Sequence, residues 1–202
     1  MHRTMVLVFL LVLFLSKNSE AGLFDFRPEE KLAEADYMMK IKRPLAADSL
    51  INEVIKFCGK KNDEPCLATA YFNYGILLMW WSVPDDYDRQ KNANQKISSY
   101  VDKDVFVKNL DQKSMEYFEK ALELAKKNEM DANVSGIYIK IGILQFTRFK
   151  DQASACESFD QSLRYNLRFQ KNNPDQKVVL PKGFKSFEEY VLQGKKEMGC
   201  LK

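Results

Sequence analysis

Histidine is the residue whose scarcity most limits the chemistry open to this protein. The chain has 202 residues and a single histidine, His2, which lies in an N-terminal segment that we expect to be removed on export. Histidine is the commonest general base near neutral pH. Without it, the remaining chain cannot build a Ser-His-Asp or Cys-His hydrolase, a His-ligated zinc site or a di-iron site that needs Glu-x-x-His. We therefore predict that the protein is not an enzyme and holds no metal.

Carboxylate chemistry remains open, because a glycosidase needs only two acidic residues. The densest acidic stretch, Asp85-Asp86-Tyr87-Asp88, is typical of a solvated loop or of the start of a helix. It lacks the central glycine of a calcium loop, and Ile97 stands where such a loop has its last glutamate. The segment Gly183-Phe184-Lys185-Ser186 lacks the spacing of a phosphate-binding Walker motif. The sequence thus predicts no catalytic residue and no cofactor.

Composition and charge indicate a folded domain without a nucleic-acid partner. Hydrophobic residues make up 46% and aromatic residues 12% of the chain, which is too rich in core-forming residues for a disordered protein. The 31 Lys and Arg residues nearly balance the 28 Asp and Glu residues, leaving a net charge of +3. A charge this small gives no electrostatic reason to expect binding to nucleic acid.

The first residues are typical of a secretory signal. A short basic start precedes the unbroken apolar run Met5 to Leu15, and Ser19-Glu20-Ala21 places small residues at a cleavage site. The run falls short of the roughly 20 residues that a membrane-spanning helix needs, and an uncleaved anchor is the alternative. We predict a signal peptide at 1–21 and one domain at 22–202. The expected location is a periplasm, or alternatively the extracellular space, without stable membrane insertion.

Four cysteines fit an oxidising compartment. They are Cys58, Cys66, Cys156 and Cys200, an even number that allows three disulfide connectivities. We favour Cys58–Cys66, which would connect two consecutive helices, and Cys156–Cys200, which would fix a C-terminal helix onto the body of the fold. Metal binding is the competing interpretation, but neither Cys-x-x-Cys nor a nearby histidine supports it.

Helical periodicity dominates the sequence and predicts an all-α fold. Pro28 opens the first helix, Pro44 ends it, and we place the C-terminal stop of the second helix at Gly59. Polar residues 82–109 show no clear period and are interpreted as a long insertion. Ser186-Phe187-Glu188-Glu189 is a capping box. The later helices are expected over about 65–81, 111–127, 134–149, 152–170 and 186–198.

Two helix pairs share one arrangement of small and aromatic residues. The positions are Tyr71, Tyr74-Gly75, Leu78, Ser114, Phe118 and Ala121 in one pair, and Tyr138, Ile141-Gly142, Ala155, Phe159 and Ser162 in the other. A fainter match has Ala35, Ala47, Ile51 and Val54. The pattern resembles the tetratricopeptide repeat, in which small residues allow close helix approach and phenylalanines fill the space between helices. A generic helical bundle is the alternative.

The resemblance covers about residues 28–170 and implies a particular architecture. It would be a right-handed superhelix of three tetratricopeptide-like helix pairs, with the insertion 82–109 in the second pair. Residues 184–199 would form a C-terminal capping helix.

In tetratricopeptide proteins the first helix of each pair lines a concave groove that takes a peptide or a helix. By resemblance, the groove residues here are Leu32, Asp36, Met39 and Lys40, then Phe72, Ile76, Met79 and Trp80, and finally Ile139, Ile143 and Phe146. The second and third sets are apolar, and an open apolar surface of this size is unusual in a soluble monomer. We expect a partner segment or the chain's own C-terminal part to cover it, unless these residues are ordinary core. Trp80-Trp81 is a binding anchor or packs under the insertion.

These features predict an exported adaptor or scaffold that binds another protein or a peptide segment, such as an accessory of envelope assembly or secretion. One alternative is a stoichiometric inhibitor of the immunity type, whose acidic insertion would occupy a basic active site. Another is a carrier of apolar small molecules that uses the groove and Trp80 as its pocket. Asn133-Val134-Ser135 is a glycosylation sequon if the source is eukaryotic.

Overall fold

A computed structural model describes residues 26–81, 102–176, 180 and 182–201. The predicted signal peptide, the acidic stretch Asp85–Asp88 and residues 82–101 of the predicted insertion lie outside the described residues. All the secondary-structure elements within these ranges are helical. The all-α prediction is therefore confirmed.

The described part of the chain forms seven α-helices, joined by short turns except where α3 leads to α4 and α6 leads to α7. They are α1 (Pro28–Lys40), α2 (Pro44–Lys61), α3 (Glu64–Trp81), α4 (Leu110–Lys127), α5 (Asp131–Leu144), α6 (Gln152–Asn172) and α7 (Phe187–Glu197). A 3₁₀ turn (Val107–Asn109) precedes α4, and a π-helical turn (Gln145–Phe149) extends α5. A chain of helices joined in this way packs each one against its neighbour in sequence.

Local sequence explains where several helices begin. Pro28 and Pro44 occupy the first turns of α1 and α2, where the missing proline N–H would have no partner in any case. At α7 the Ser186 hydroxyl accepts a hydrogen bond from the Glu189 backbone N–H at 3.0 Å. The Glu189 carboxylate accepts in turn from the backbone N–H of Lys185 at 2.8 Å, so the reciprocal bond reaches the residue before Ser186.

The predicted stop of α2 at Gly59 is wrong. The helix continues through Gly59 to Lys61, and Asn62 adopts the left-handed conformation with φ of 52°. The backbone N–H of Asn62 donates to the carbonyl of Gly59, and that of Asp63 donates to the carbonyl of Cys58. Asparagine tolerates the left-handed region better than most residues, so the chain ends its helix there and leaves Gly59 inside it.

The core is divided into three clusters along the sequence of helices. The first lies among α1, α2, α3 and the start of α4 and includes Ile51 and Tyr74. The second joins α3, α4 and α5 around Phe118, and the third joins α5, α6 and α7 around Phe159. Val105, near the end of the predicted insertion, is fully buried in the first cluster, so the last part of that segment belongs to the core.

Two helix pairs, α3 with α4 and α5 with α6, are in close contact through a glycine on the first helix and a phenylalanine on the second. A Cβ atom built on Gly75 of α3 would lie 2.6 Å from the ring of Phe118 in α4. A Cβ atom on Gly142 of α5 would lie 2.6 Å from the ring of Phe159 in α6. Any side chain at either position would force the ring to move, so only glycine permits these contacts as they stand.

The cysteines form the two favoured pairs. Cys58 and Cys66 have Cα atoms 5.8 Å apart and connect the end of α2 to the start of α3. Cys156 and Cys200 have Cα atoms 5.7 Å apart and connect α6 to the segment after α7. Of the helices described, none combines the length and the hydropathy that crossing a membrane requires.

Candidate binding surface

The first set of expected groove residues belongs to the interior and to an ion pair. Leu32 and Met39 are buried in the first core cluster. Asp36 and Lys40, one turn apart on α1, form an ion pair at 2.5 Å. An exposed pair of this kind stabilises the helix by a few tenths of a kcal/mol, about 0.3 to 0.5. These four residues therefore do not form an open apolar surface.

The second set remains partly open. Phe72, Ile76 and Met79 of α3 are half-buried and pack against the second cluster, with the Phe72 ring centroid 5.9 Å from that of Phe118. Trp80 at the end of α3 is 53% exposed. This row gives α3 an apolar edge that the described helices cover only in part.

The third set is covered by the C-terminal helix. Ile139 is buried in the third cluster together with Val191 of α7 and Met198, and Ile143 and Phe146 are half-buried against the same cluster. The chain's own C-terminal part therefore occupies the position that the third set was expected to offer to a partner.

Several contacts hold α7 in this position. The Phe159 ring lies between two glycines, since a Cβ atom on Gly194 of α7 would be 2.5 Å from it. The ammonium of Lys195 pairs with the carboxylate of Asp160 at 2.5 Å. The Gln152 side-chain amide donates to the carbonyl of Met198 at 2.7 Å. Together with the Cys156–Cys200 pair, these contacts join the C-terminal end of α7 to the N-terminal half of α6.

Lys140 is a candidate site residue that the sequence analysis missed. A Cβ atom on Gly136 of α5 would be 4.0 Å from the Phe72 ring, so this face of α5 points toward α3. Lys140 lies one turn later on the same face. Burial lowers the pKa of its ammonium group, and among the described residues it has neither a hydrogen bond nor an ion pair. A lone lysine within the run Ile137 to Ile143 was the available signal.

A cavity of about 280 Å³ lies where α7 meets α5 and α6. Its lining is largely apolar and includes Phe146, Phe159, Phe184 and Tyr190. Burial and, second, the nearby carboxylate of Glu197 raise the pKa of the Tyr190 phenol, so the phenol stays neutral at physiological pH. The sequence analysis did not find this cavity, because it exists only once α7 has docked.

A more polar cavity of about 470 Å³ lies between the start of α5 and the end of α6. On its wall the Arg168 guanidinium donates two hydrogen bonds to the carboxylate of Asp131, which raises the pKa of Arg168. Asn133 of the sequon also lines it. Ser135 is buried and its hydroxyl donates to the carbonyl of Ser162 at 2.9 Å, so the sequon's hydroxyl is used inside the fold.

No group of three or more His, Cys, Asp and Glu side chains that could hold a metal ion occurs within the described ranges.

Comparison with known proteins finds no match: no protein-family model, no curated protein and no solved structure matches the chain. The tetratricopeptide resemblance therefore rests on the residues quoted above.

Proposed function

We propose that the protein is an exported, tetratricopeptide-like adaptor that binds a segment of another protein along α3 and the adjacent face of α5. In this proposal the three helix pairs form a right-handed superhelix, and α7 is its cap. The contacts of α1 with α3 and of α3 with α5 support it, because first helices must be neighbours to line one groove. The glycine–phenylalanine contacts of the second and third pairs support it as well.

The two cysteine pairs support an oxidising location, for which a periplasm is the first choice and the extracellular space the second. Both pairs lie at disulfide distance with Cα atoms less than 6 Å apart, as expected for a chain that folds outside the cytosol. An accessory role in envelope assembly or secretion is consistent with that location.

The observation that carries the proposal is the apolar edge of α3. Trp80 exposes half of its surface beside the half-buried Ile76 and Met79, whereas the corresponding row of α5 is already covered by α7. Tryptophan is among the residues that most often dominate binding energy at protein interfaces. The open row of α3 is thus the part of the predicted groove that remains for a partner.

Lys140 defines the chemistry of that partner. A lysine ammonium that has lost part of its hydration, with no acceptor among the described residues, gains most from a carboxylate brought to it. The partner segment we propose is therefore apolar on the side that meets α3 and carries an acidic residue opposite Lys140.

The test is affinity capture from the exported fraction of the source organism with four baits. The wild-type protein is expected to retain a partner that Trp80→Ala loses. Tyr37→Ala is the matched control, because Tyr37 is an aromatic residue of similar exposure, 58%, on α1. The partner should be kept by this control and should bind at least tenfold more weakly to Lys140→Gln.

Two outcomes would overturn the adaptor proposal. One is that no protein is retained by the wild type, and the other is equal loss with the Tyr37→Ala and Trp80→Ala baits. The inhibitor of the immunity type remains the alternative, and its acidic residues lie outside the described residues. Replacing Asp85 and Asp88 together by asparagine should weaken such an inhibitor and its salt-dependent association rate, and should leave the adaptor's binding nearly intact.

A further inference from the structure

The cavity beneath α7 is lined by several aromatic side chains. Four aromatic side chains line its 280 Å³: Phe146 from the π-helical turn, Phe159 from α6, Phe184 from the segment before α7, and Tyr190 from α7. The rings of Phe184 and Tyr190 meet at 78° with centroids 5.2 Å apart. Two rings at nearly right angles form adjacent walls of one corner.

The charged side chain in the lining of this cavity is acidic. Glu197 is the one ionisable carboxylate among the described lining residues, and neither lysine nor arginine is among them. Lys195 of α7 is paired with the carboxylate of Asp160 on α6. The Gln193 side-chain amide donates to the Glu197 carboxylate at 2.8 Å, which orients that carboxylate on the rim.

The size of the cavity sets the size of the ligand. Pockets for drug-sized molecules occupy about 300 to 1,000 Å³, so a cavity of 280 Å³ takes a compact ligand of a few heavy atoms. Aromatic rings attract cations through their negative faces, and quaternary ammonium groups are the ligands that aromatic cages recognise. A purely apolar ligand would gain nothing from a carboxylate at the rim.

We propose that this cavity binds a small quaternary ammonium ion of about the size of choline. The N-methyl groups contact the corner formed by Phe184 and Tyr190, and Glu197 balances the positive charge. The site is separate from the α3 surface, so it does not depend on the adaptor role. A free small molecule is the source that fits, because a cavity of 280 Å³ holds a compact ligand.

The experiment compares two ligands of equal shape by isothermal titration calorimetry of the purified protein. Choline chloride is the cation, and 3,3-dimethylbutan-1-ol is its neutral carbon analogue; sodium chloride at equal ionic strength is the blank. Choline is expected to bind at least tenfold more tightly than the alcohol. In parallel NMR titrations the backbone amide of Gly194 should shift, and that of Gly59, at the far end of the molecule, should not.

Four variants assign the binding to these residues. Glu197→Gln and Tyr190→Leu are each expected to weaken choline binding about tenfold. Tyr190→Phe keeps the ring and should bind as the wild type does. Glu188→Gln is the control for charge, because Glu188 lies on the same helix and is exposed but does not line the cavity.

Equal affinity for choline and the alcohol would overturn the proposal in favour of a plain apolar cavity, and no binding of either would overturn it as well. A loss in Glu188→Gln equal to that in Glu197→Gln would show a general charge effect and would also reject it. Folding of each variant is checked by circular dichroism, and Glu197→Gln keeps the test decisive if Tyr190→Leu is unstable.

Discussion

The second and third helix pairs of this protein have the same internal contact and different surroundings. In each, a phenylalanine of the second helix lies against a glycine of the first, Phe118 on Gly75 and Phe159 on Gly142. Among the described glycines, one more closes on such a ring from the other side: Gly194 of α7, on Phe159 of the third pair. The glycine and phenylalanine pattern therefore defines the interior of a pair. A helix added from outside then decides whether the outer face is available to a partner.

The largest effects should come from removing the two rings. Phe118→Ala and Phe159→Ala should each lower the free energy of unfolding by about 3 to 5 kcal/mol, because each ring fills space that the neighbouring helices cannot close. Urea denaturation measures this loss. Phe149→Ala, at a position 42% exposed, is the control and should cost less than about 1 kcal/mol.

Hydrogen exchange of α7 separates the two variants. We expect faster amide exchange in α7 with Phe159→Ala than with Phe118→Ala at matched global stability, because only Phe159 contacts Gly194. Equal exchange rates in α7 would contradict the idea that this ring holds the C-terminal helix in place.

Intermediate effects should follow from adding one methyl group. Gly75→Ala and Gly142→Ala place a carbon 2.6 Å from a ring, and the resulting overpacking should cost about 1 to 3 kcal/mol each in thermal or urea unfolding. Gly59→Ala is the matched control within a helix, because a Cβ atom there would meet nothing within 4 Å.

The control should change stability in the opposite direction. Alanine is preferred over glycine inside a helix by about 0.5 to 1 kcal/mol, so Gly59→Ala is expected to stabilise the protein. Stabilisation by all three substitutions would contradict the close packing at Gly75 and Gly142, because helix propensity alone would then explain the effects.

The smallest effect concerns Lys140, on the side of α5 that faces the open row of α3. Burial lowers the pKa of its ammonium in the folded protein, so the unfolded chain binds more protons between the lowered value and the ordinary one. Wild-type stability should therefore rise with pH across that alkaline window. Lys140→Met should remove this pH dependence and raise the free energy of unfolding by about 0.5 to 1 kcal/mol at pH 7.

Urea unfolding at pH 7 and pH 10 checks this prediction, with Lys56→Met as the control at an exposed position of α2. A wild type and a Lys140→Met variant with the same pH dependence would show that Lys140 is fully hydrated. A Lys140 variant that is more stable but binds the proposed partner less tightly would show the usual trade-off between stability and function.

The sequence predicts the helices well and the surface poorly, for physical reasons. Periodicity and prolines are local signals, so the helix positions follow from them, and the cysteine pairs follow from where the cysteines stand relative to those helices. The end of α2 depends on whether Gly59 or Asn62 adopts the left-handed conformation. The general preference for glycine at helix ends favours Gly59, but Asn62 adopts it. Coverage of the third groove set depends on where α7 docks, which is a long-range event. The same holds for the aromatic cavity and for the burial of Lys140.

The order of the cysteines has a consequence for how the protein matures. Cys58 pairs with Cys66 and Cys156 pairs with Cys200, so each bond joins cysteines that are consecutive along the chain. In the export that we propose, the cysteines would enter the oxidising compartment one after another, and each second one would meet its correct partner before a wrong one arrived. Sequential oxidation then yields the native bonds without thiol–disulfide exchange to correct them, and maturation should not require a disulfide isomerase.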